Sequence, residues 1–226
     1  MKILVIDDKE MHRESARETL ADHELTIASS FDEAIELMKE NVDEEKVKRL
    51  LKEAGFEEEP HYLKASKEVR KAYWQTKDQA EKESTPPFPF DAVLTDLQMP
   101  MSRKTLRPEA YNYGELVPYG FVLALRAALR GAKFVAVATD TDHHLGAMSA
   151  SLDHLRDVFE ISGAKVLFLH AQFVTDILKD APCQSCKGTG ILRGETCWIC
   201  EGAKILPEQK VYERKDWGQV LRELIQ

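Results

Sequence analysis

Two sets of side chains in this 226-residue chain have the types and spacing to do chemistry. The first is Cys183, Cys186, Cys197 and Cys200, the chain's only cysteines, arranged as two CxxC pairs with ten residues between them. Four thiolates at that spacing suit one tetrahedral Zn2+. Each CxxC needs a tight turn so that backbone amides can point at the sulfurs. Gly188 and Gly202, two residues past the second cysteine of each pair, supply backbone conformations that other residues resist. In a reducing compartment paired CxxC units favour a metal over a disulfide, and a redox role for the two pairs is the rival reading. The second set is acidic: Asp7 and Asp8 follow the run "KILVI", and Asp96 follows "DAVLT".

Elements must be found to position both sets. "KILVID" (2–7), "ELTIASS" (24–30), "DAVLTD" (91–96), "KFVAVATD" (133–140) and "AKVLFLH" (164–170) read as strands. Helical patterns fall between and after them at 11–23, 31–40, 119–131, 142–163 (one or two helices) and 214–226. Such alternation predicts an α/β fold, a doubly wound five-stranded parallel sheet covered on both faces, within one domain spanning 1–226. Three insertions interrupt it: a helical insertion at 41–87, an extended loop at 101–119 and a zinc knuckle at 181–204. From 41 to 84 there are 11 acidic and 10 basic residues, too charged for a buried strand. Val47, Leu50, Leu51 and Ala54 make one helical stripe closed by Gly55. Leu63, Val69, Ala72, Tyr73 and Trp74 suggest a second, with Tyr73 and Trp74 as candidate anchors of a docking surface and "STPPFPF" (84–90) as a stiff return.

In such a sheet functional side chains gather beyond the carboxyl ends of the strands. That rule brings together Asp7, Asp8, Asp96, Thr139, Asp140 and His170. Three converging carboxylates repel one another unless a hard cation such as Mg2+ neutralises them, and one of them could attack a phosphoryl group. "TDTDHH" (139–144) adds metal-capable groups, but Asp142 as a helix cap with His143 and His144 in the first turn is the favoured reading. No Ser-His-Asp, P-loop or dinucleotide fingerprint is present. The net charge of −8 gives nucleic acid no overall electrostatic footprint, and no apolar run is long enough for a signal peptide or membrane span, so a cytoplasmic protein is expected.

"ILVIDDKE" followed by "DAVLTDLQMP" resembles the receiver domain of two-component response regulators, over 1–40, 91–100, 119–170 and 214–226. The resemblance implies that Asp96 accepts a phosphoryl group from a histidine kinase. It implies that Asp7, Asp8 and the backbone carbonyl of Gln98 hold Mg2+ with Asp96, and that the Thr139 hydroxyl swings toward the phosphate. Gly120 stands where the family opens a helix with glycine. Three departures appear. The family's lysine, in a "KP" dipeptide at the end of strand five, is matched by His170-Ala171, so His170 is expected to serve as the cation when protonated. The aromatic switch position falls at Leu167, beside Phe168, and the loop after strand three is lengthened. The cysteine stretch in turn resembles the zinc knuckle of DnaJ-type chaperones, as a single zinc unit whose second repeat reads Gly202-Ala203-Lys204. Its role is a rigid clip or a binding platform displaying Trp198 and Ile199.

These resemblances imply a stand-alone phosphorelay regulator, not an enzyme beyond phosphotransfer onto its own Asp96. Its partners would be a histidine kinase or a downstream effector. The alternative is a pseudo-receiver scaffold or chaperone-associated binding module, stabilised by zinc and without phosphate chemistry. A metal-dependent phosphohydrolase is a third reading, although Asp7 and Lys9 do not match the spacing of such enzymes.

Overall fold

Four consecutive apolar residues, Ile3 to Ile6, are fully buried, as expected of a strand covered on both faces. They lie in β1 (Lys2–Ile6), which pairs in parallel with β2 (Glu24–Ala28) on one side and β3 (Ala92–Thr95) on the other. This computed structural model describes residues 1–102, 104, 107–141, 150–155 and 157–226, with the backbone path alone at 108, 153, 176–178 and 209–212. The chain forms two compact units, Met1–Phe31 with Phe90–Gln226, and Asp32–Pro89.

In the larger unit α1 (Glu10–Thr19) follows β1; α2 (Phe31–Leu37) opens after β2 at Phe31 and from Asp32 on belongs to the smaller unit. Asp32–Pro89 holds α3 (Glu44–Glu53) and α4 (Lys67–Ser84), and no strand is present among its residues. Asp43 and Ser66 cap the two helices by accepting from the backbone N–H groups of Lys46 and Val69. Val47, Leu51, Tyr73 and Ala80 form the small core between them. Tyr73 is only 5% exposed and packs edge-on against Phe56, so of the two expected anchors Trp74 alone is at the surface. Leu63 precedes α4 rather than joining its stripe.

After β3 the chain makes a short ribbon of β4 (Met99–Pro100) and β5 (Leu116–Val117), then α5 (Tyr119–Arg130), ended by Gly131 in the left-handed region, and β6 (Phe134–Thr139). Next come β7 (Phe159–Ile161) and β8 (Ala164–His170). The sheet order is β2-β1-β3-β6-β8-β7. The first five strands are parallel, as expected. The sixth, β7, is an antiparallel edge strand lying in the stretch expected to be helical, joined to β8 by Ser162 and Gly163, both at positive φ. Two such residues are the geometry of a tight hairpin turn, which overrides the helical pattern there. The expected cap Asp142 and first-turn His143 and His144 lie outside the described residues.

β9 (Phe173–Pro182) and β12 (Ile205–Lys215) form a long antiparallel ribbon, with β10 (Ile191–Leu192) and β11 (Glu195–Thr196) at its far end. The chain returns from it into α6 (Trp217–Ile225), capped by Asp216. One face of the sheet (Ile3, Val5, Leu94, Ala136, Leu167) packs with Ala16 and Leu20 of α1 and with Trp217, Val220, Leu221 and Leu224 of α6. On the other, Phe168 stacks on Phe121 of α5 and on Phe159. Among the described residues no helix is long and apolar enough to cross a membrane.

Candidate functional site

β1 and β3 are neighbours in the sheet, so the residues that follow them, Asp7 and Asp96, emerge side by side at the carboxyl edge. Both are buried, and carboxylate oxygens of Asp7, Asp8 and Asp96 lie within 4.8 Å of one another. Between them sits a cation that the sequence did not single out. Lys215, fully buried, donates from Nζ to Asp96 Oδ1 at 2.6 Å and to Asp7 Oδ2 at 2.9 Å. The expectation that this position lacks a lysine, with His170 in its place, is corrected. His170 ends β8, half-buried and paired with Thr139 across the ladder, while the charge on Asp96 is met by Lys215, at the return of the ribbon. The ribbon between His170 and Lys215 takes this lysine out of the register of strand five, and nothing in the local sequence "RKDW" marks it.

Asp140, which follows β6, extends the network. Its Oδ2 meets Lys9 Nζ and, at 3.2 Å, His12 Nε2, and its Oδ1 is 4.0 Å from Lys215 Nζ. Burial works against the charge on Asp140, yet the His12 hydrogen bond, the Lys215 charge and Lys9 hold its carboxyl well below the ordinary range. Asp96 behaves oppositely. Burial pushes its carboxyl up to about 6 and the Asp7 charge adds to the rise, both opposed by Lys215. Burial also disfavours a charged Lys215, but Asp96, Asp7 and Asp140 together keep its ammonium above the ordinary lysine range. Asp8 is raised by burial and by Asp7. Its Oδ1 is buried and, among the described residues, has no hydrogen-bond partner.

That orphaned oxygen, next to two further carboxylates, is what a hard divalent cation would satisfy. Asp7, Asp8 and Asp96 therefore fit Mg2+, with Gln98 half-buried two residues past Asp96. Thr139 is buried at the same edge, its hydroxyl accepting from the Thr141 N–H at 3.1 Å. At the aromatic switch position Leu167 lies in the α1–α6 core, whereas Phe168 lies toward α5. In the lengthened loop the Ser102 N–H donates to the Tyr119 hydroxyl, and the Tyr119 ring stacks on Phe31 at 3.9 Å.

α5 approaches the site so closely that Gly120 has no room for a side chain. A Cβ there would stand 2.2 Å from the Asp96 carbonyl oxygen and 2.8 Å from Leu97 Cα, both backbone atoms. Gly120→Ala should therefore cost about 1–3 kcal/mol through overpacking and shift Asp96. A wild-type urea midpoint for that variant would contradict the close approach.

At the far end of the ribbon the four cysteines are buried with their Sγ atoms within 4.8 Å of one another; Cys183 and Cys197 are 4.0 Å apart, Cys186 and Cys200 3.7 Å. A tetrahedron with Zn–S bonds of about 2.3 Å has edges of roughly 3.8 Å, so the donor set fits zinc. The Gly190 N–H donates to Cys186 Sγ at 3.3 Å. Burial opposes the Cys186 thiolate, but that amide and the neighbouring thiols bring it down to about 6, whereas burial pushes Cys200 up to about 11. Four adjacent thiols cannot all ionise unaided, and a bound cation would hold all four as thiolates. Gly190 also lies too close to the Gly202 carbonyl (2.9 Å from a Cβ) for any larger residue. Trp198 is 76% exposed between the second pair of cysteines.

No family model matches the chain, and no curated protein matches it. Among solved structures it is similar to the receiver domain of the histidine kinase CKI1 from Arabidopsis thaliana, at 15% identity and a TM-score of 0.34, over 75% of this chain and 79% of that one. At that score the match adds nothing to the strand order and site geometry described above.

Proposed function

We propose that the chain is a receiver-like signalling protein that accepts a phosphoryl group on Asp96 and acts through protein contacts, with a histidine kinase or a downstream effector as partner. The observation that carries this reading is the buried contact of Lys215 with Asp96 and Asp7, beside a carboxylate oxygen of Asp8 that lacks a partner among the described residues. Lys215 and the Leu97 N–H both donate to Asp96 Oδ1, which leaves Oδ2 as the attacking oxygen. A P–O bond forms at Oδ2 while the donor's bond to phosphorus breaks and its electron pair leaves with the donor. Lys215 Nζ then turns from the carboxylate to the phosphoryl oxygens, whose charge of roughly −1.5 to −2 needs a fixed cation. Mg2+, held by Asp7, Asp8, Asp96 and the Gln98 carbonyl, would neutralise the remaining carboxylates and the phosphoryl charge. Beyond transfer onto its own Asp96 we assign no turnover. Zinc at the cysteine centre is read as structural.

Acetyl phosphate with Mg2+, followed by intact mass, tests the assignment. Wild type should gain one phosphoryl group and Asp96→Ala none. His170→Lys should behave as wild type, because the cation is already supplied. Label that persists in Asp96→Ala would exclude Asp96 as acceptor. An unlabelled wild type would overturn the reading and leave the zinc-stabilised scaffold in its place.

A further inference from the structure

We propose that His12 and Ser15 of α1 are positioning residues that clamp the backbone of Lys215 and thereby aim its ammonium at Asp96, an inference that rests on the phosphoacceptor reading above. Lys215 is the last residue of a long two-stranded ribbon, paired with Phe173. Such a ribbon has a sliding problem, since a slip of one residue turns every side chain to the opposite side. The ladder already shifts register between Lys210 and Tyr212. At its base the neighbours of Lys215 are Arg214, which pairs with Glu18 at 2.9 Å, and Asp216, the cap of α6. A slip would thus offer the acidic pocket a bulkier cation or a further carboxylate in place of the lysine.

Both backbone polar groups of Lys215 are held by α1. Its N–H donates to His12 Nδ1 at 3.2 Å, and its carbonyl accepts from Ser15 Oγ at 2.7 Å. His12 and Ser15 are three residues apart, on one helix face, and both are buried. An acceptor at Nδ1 makes His12 a neutral ring with its proton on Nε2, and Nε2 faces Asp140 Oδ2 at 3.2 Å. Trp217 closes the other side: its Nε1 donates to the His12 carbonyl at 3.1 Å, and Lys215 Nζ lies 5.4 Å from its ring centroid. Register, tautomer and ammonium position are therefore set together, by α1 rather than by the ribbon.

The two ring nitrogens can be tested separately. His12→Asn places an acceptor near the Nδ1 position and loses the Asp140 contact, whereas His12→Gln keeps a donor for Asp140 and loses the acceptor for Lys215. Two readouts are taken on the full chain: the labelling rate with acetyl phosphate at saturating Mg2+, and the Lys215 methylene resonances, which the Trp217 ring should shift. His12→Gln should slow labelling about tenfold or more and move those resonances, while His12→Asn should restore most of the rate and keep them. Equal losses in both variants, tracking their melting temperatures, would mean a merely structural histidine and would overturn the clamp. Wild-type labelling and resonances in His12→Gln would overturn it as well. If wild type takes no phosphoryl group but the resonances still move in His12→Gln alone, the clamp stands and the phosphoacceptor reading fails.

Discussion

Lys215→Met should cost the α/β unit about 3–5 kcal/mol of stability and abolish phosphoryl uptake by Asp96. The lysine, Asp7 and Asp96 are all buried, so removing the ammonium strands two carboxylates that water cannot reach. The Asp96 carboxyl already sits up at about 6, lifted by burial against the pull of Lys215, and it has no other cation within hydrogen-bond reach among the described residues. Methionine fills similar volume, so the loss reads charge rather than packing. Lys215→Met combined with Asp96→Asn should recover a large part of the urea midpoint, because an amide needs no counter-charge; it should not recover labelling. A midpoint for Lys215→Met equal to wild type would refute the buried ion network.

Cys183→Ser should release the metal and unfold the tip of the ribbon while the sheet keeps its melting temperature. Binding of a structural zinc contributes on the order of 10 kcal/mol to the segment it closes. The tip has little else to hold it: its core is the four cysteines with Leu192 and Leu206 packed against them. The ribbon's base, in contrast, is anchored independently, by the Asp216 N–H on the Gln172 carbonyl at 2.8 Å and by the grip of α1 on Lys215. Amide exchange should therefore lose protection over 183–206 and keep it in β1, β3, β6 and α6. Elemental analysis should find one zinc per wild-type chain and none in Cys183→Ser. Wild type purified without chelator and found free of metal would overturn the zinc assignment, and global unfolding of Cys183→Ser would overturn the independence of the two ends.

Local pattern determined much of this molecule without help from tertiary structure. Five parallel strands could be read because a strand covered on both faces is a short continuous apolar run, and each run ended at a residue the sheet then carried to its edge. Asp7, Asp8, Asp96 and Thr139 could be named for that reason, and Gly120 from the resemblance. The four cysteines needed only their spacing. The charged segment 41–84 announced helices, because no strand of a central sheet tolerates that charge density.

Tertiary structure alone decided which cation serves the acidic pocket. Strict register along strand five leads to His170, but the chain leaves the fold there, runs out along β9 and back along β12, and delivers Lys215 to the same edge. Nothing local distinguishes Lys215 from the chain's other lysines; its burial against Asp7 and Asp96 does. The same holds for His12, which on a helical wheel is one more residue of α1 and becomes specific only when the Lys215 N–H arrives at its ring. Tyr73 was misread as an anchor because periodicity gives the spacing of an apolar stripe but not what packs upon it, here Phe56. The edge strand β7 escaped because three residues are too few to show a period of two, and its pairing with β8 depends on a hairpin turn at Ser162 and Gly163 whose positive φ angles only the folded chain reveals.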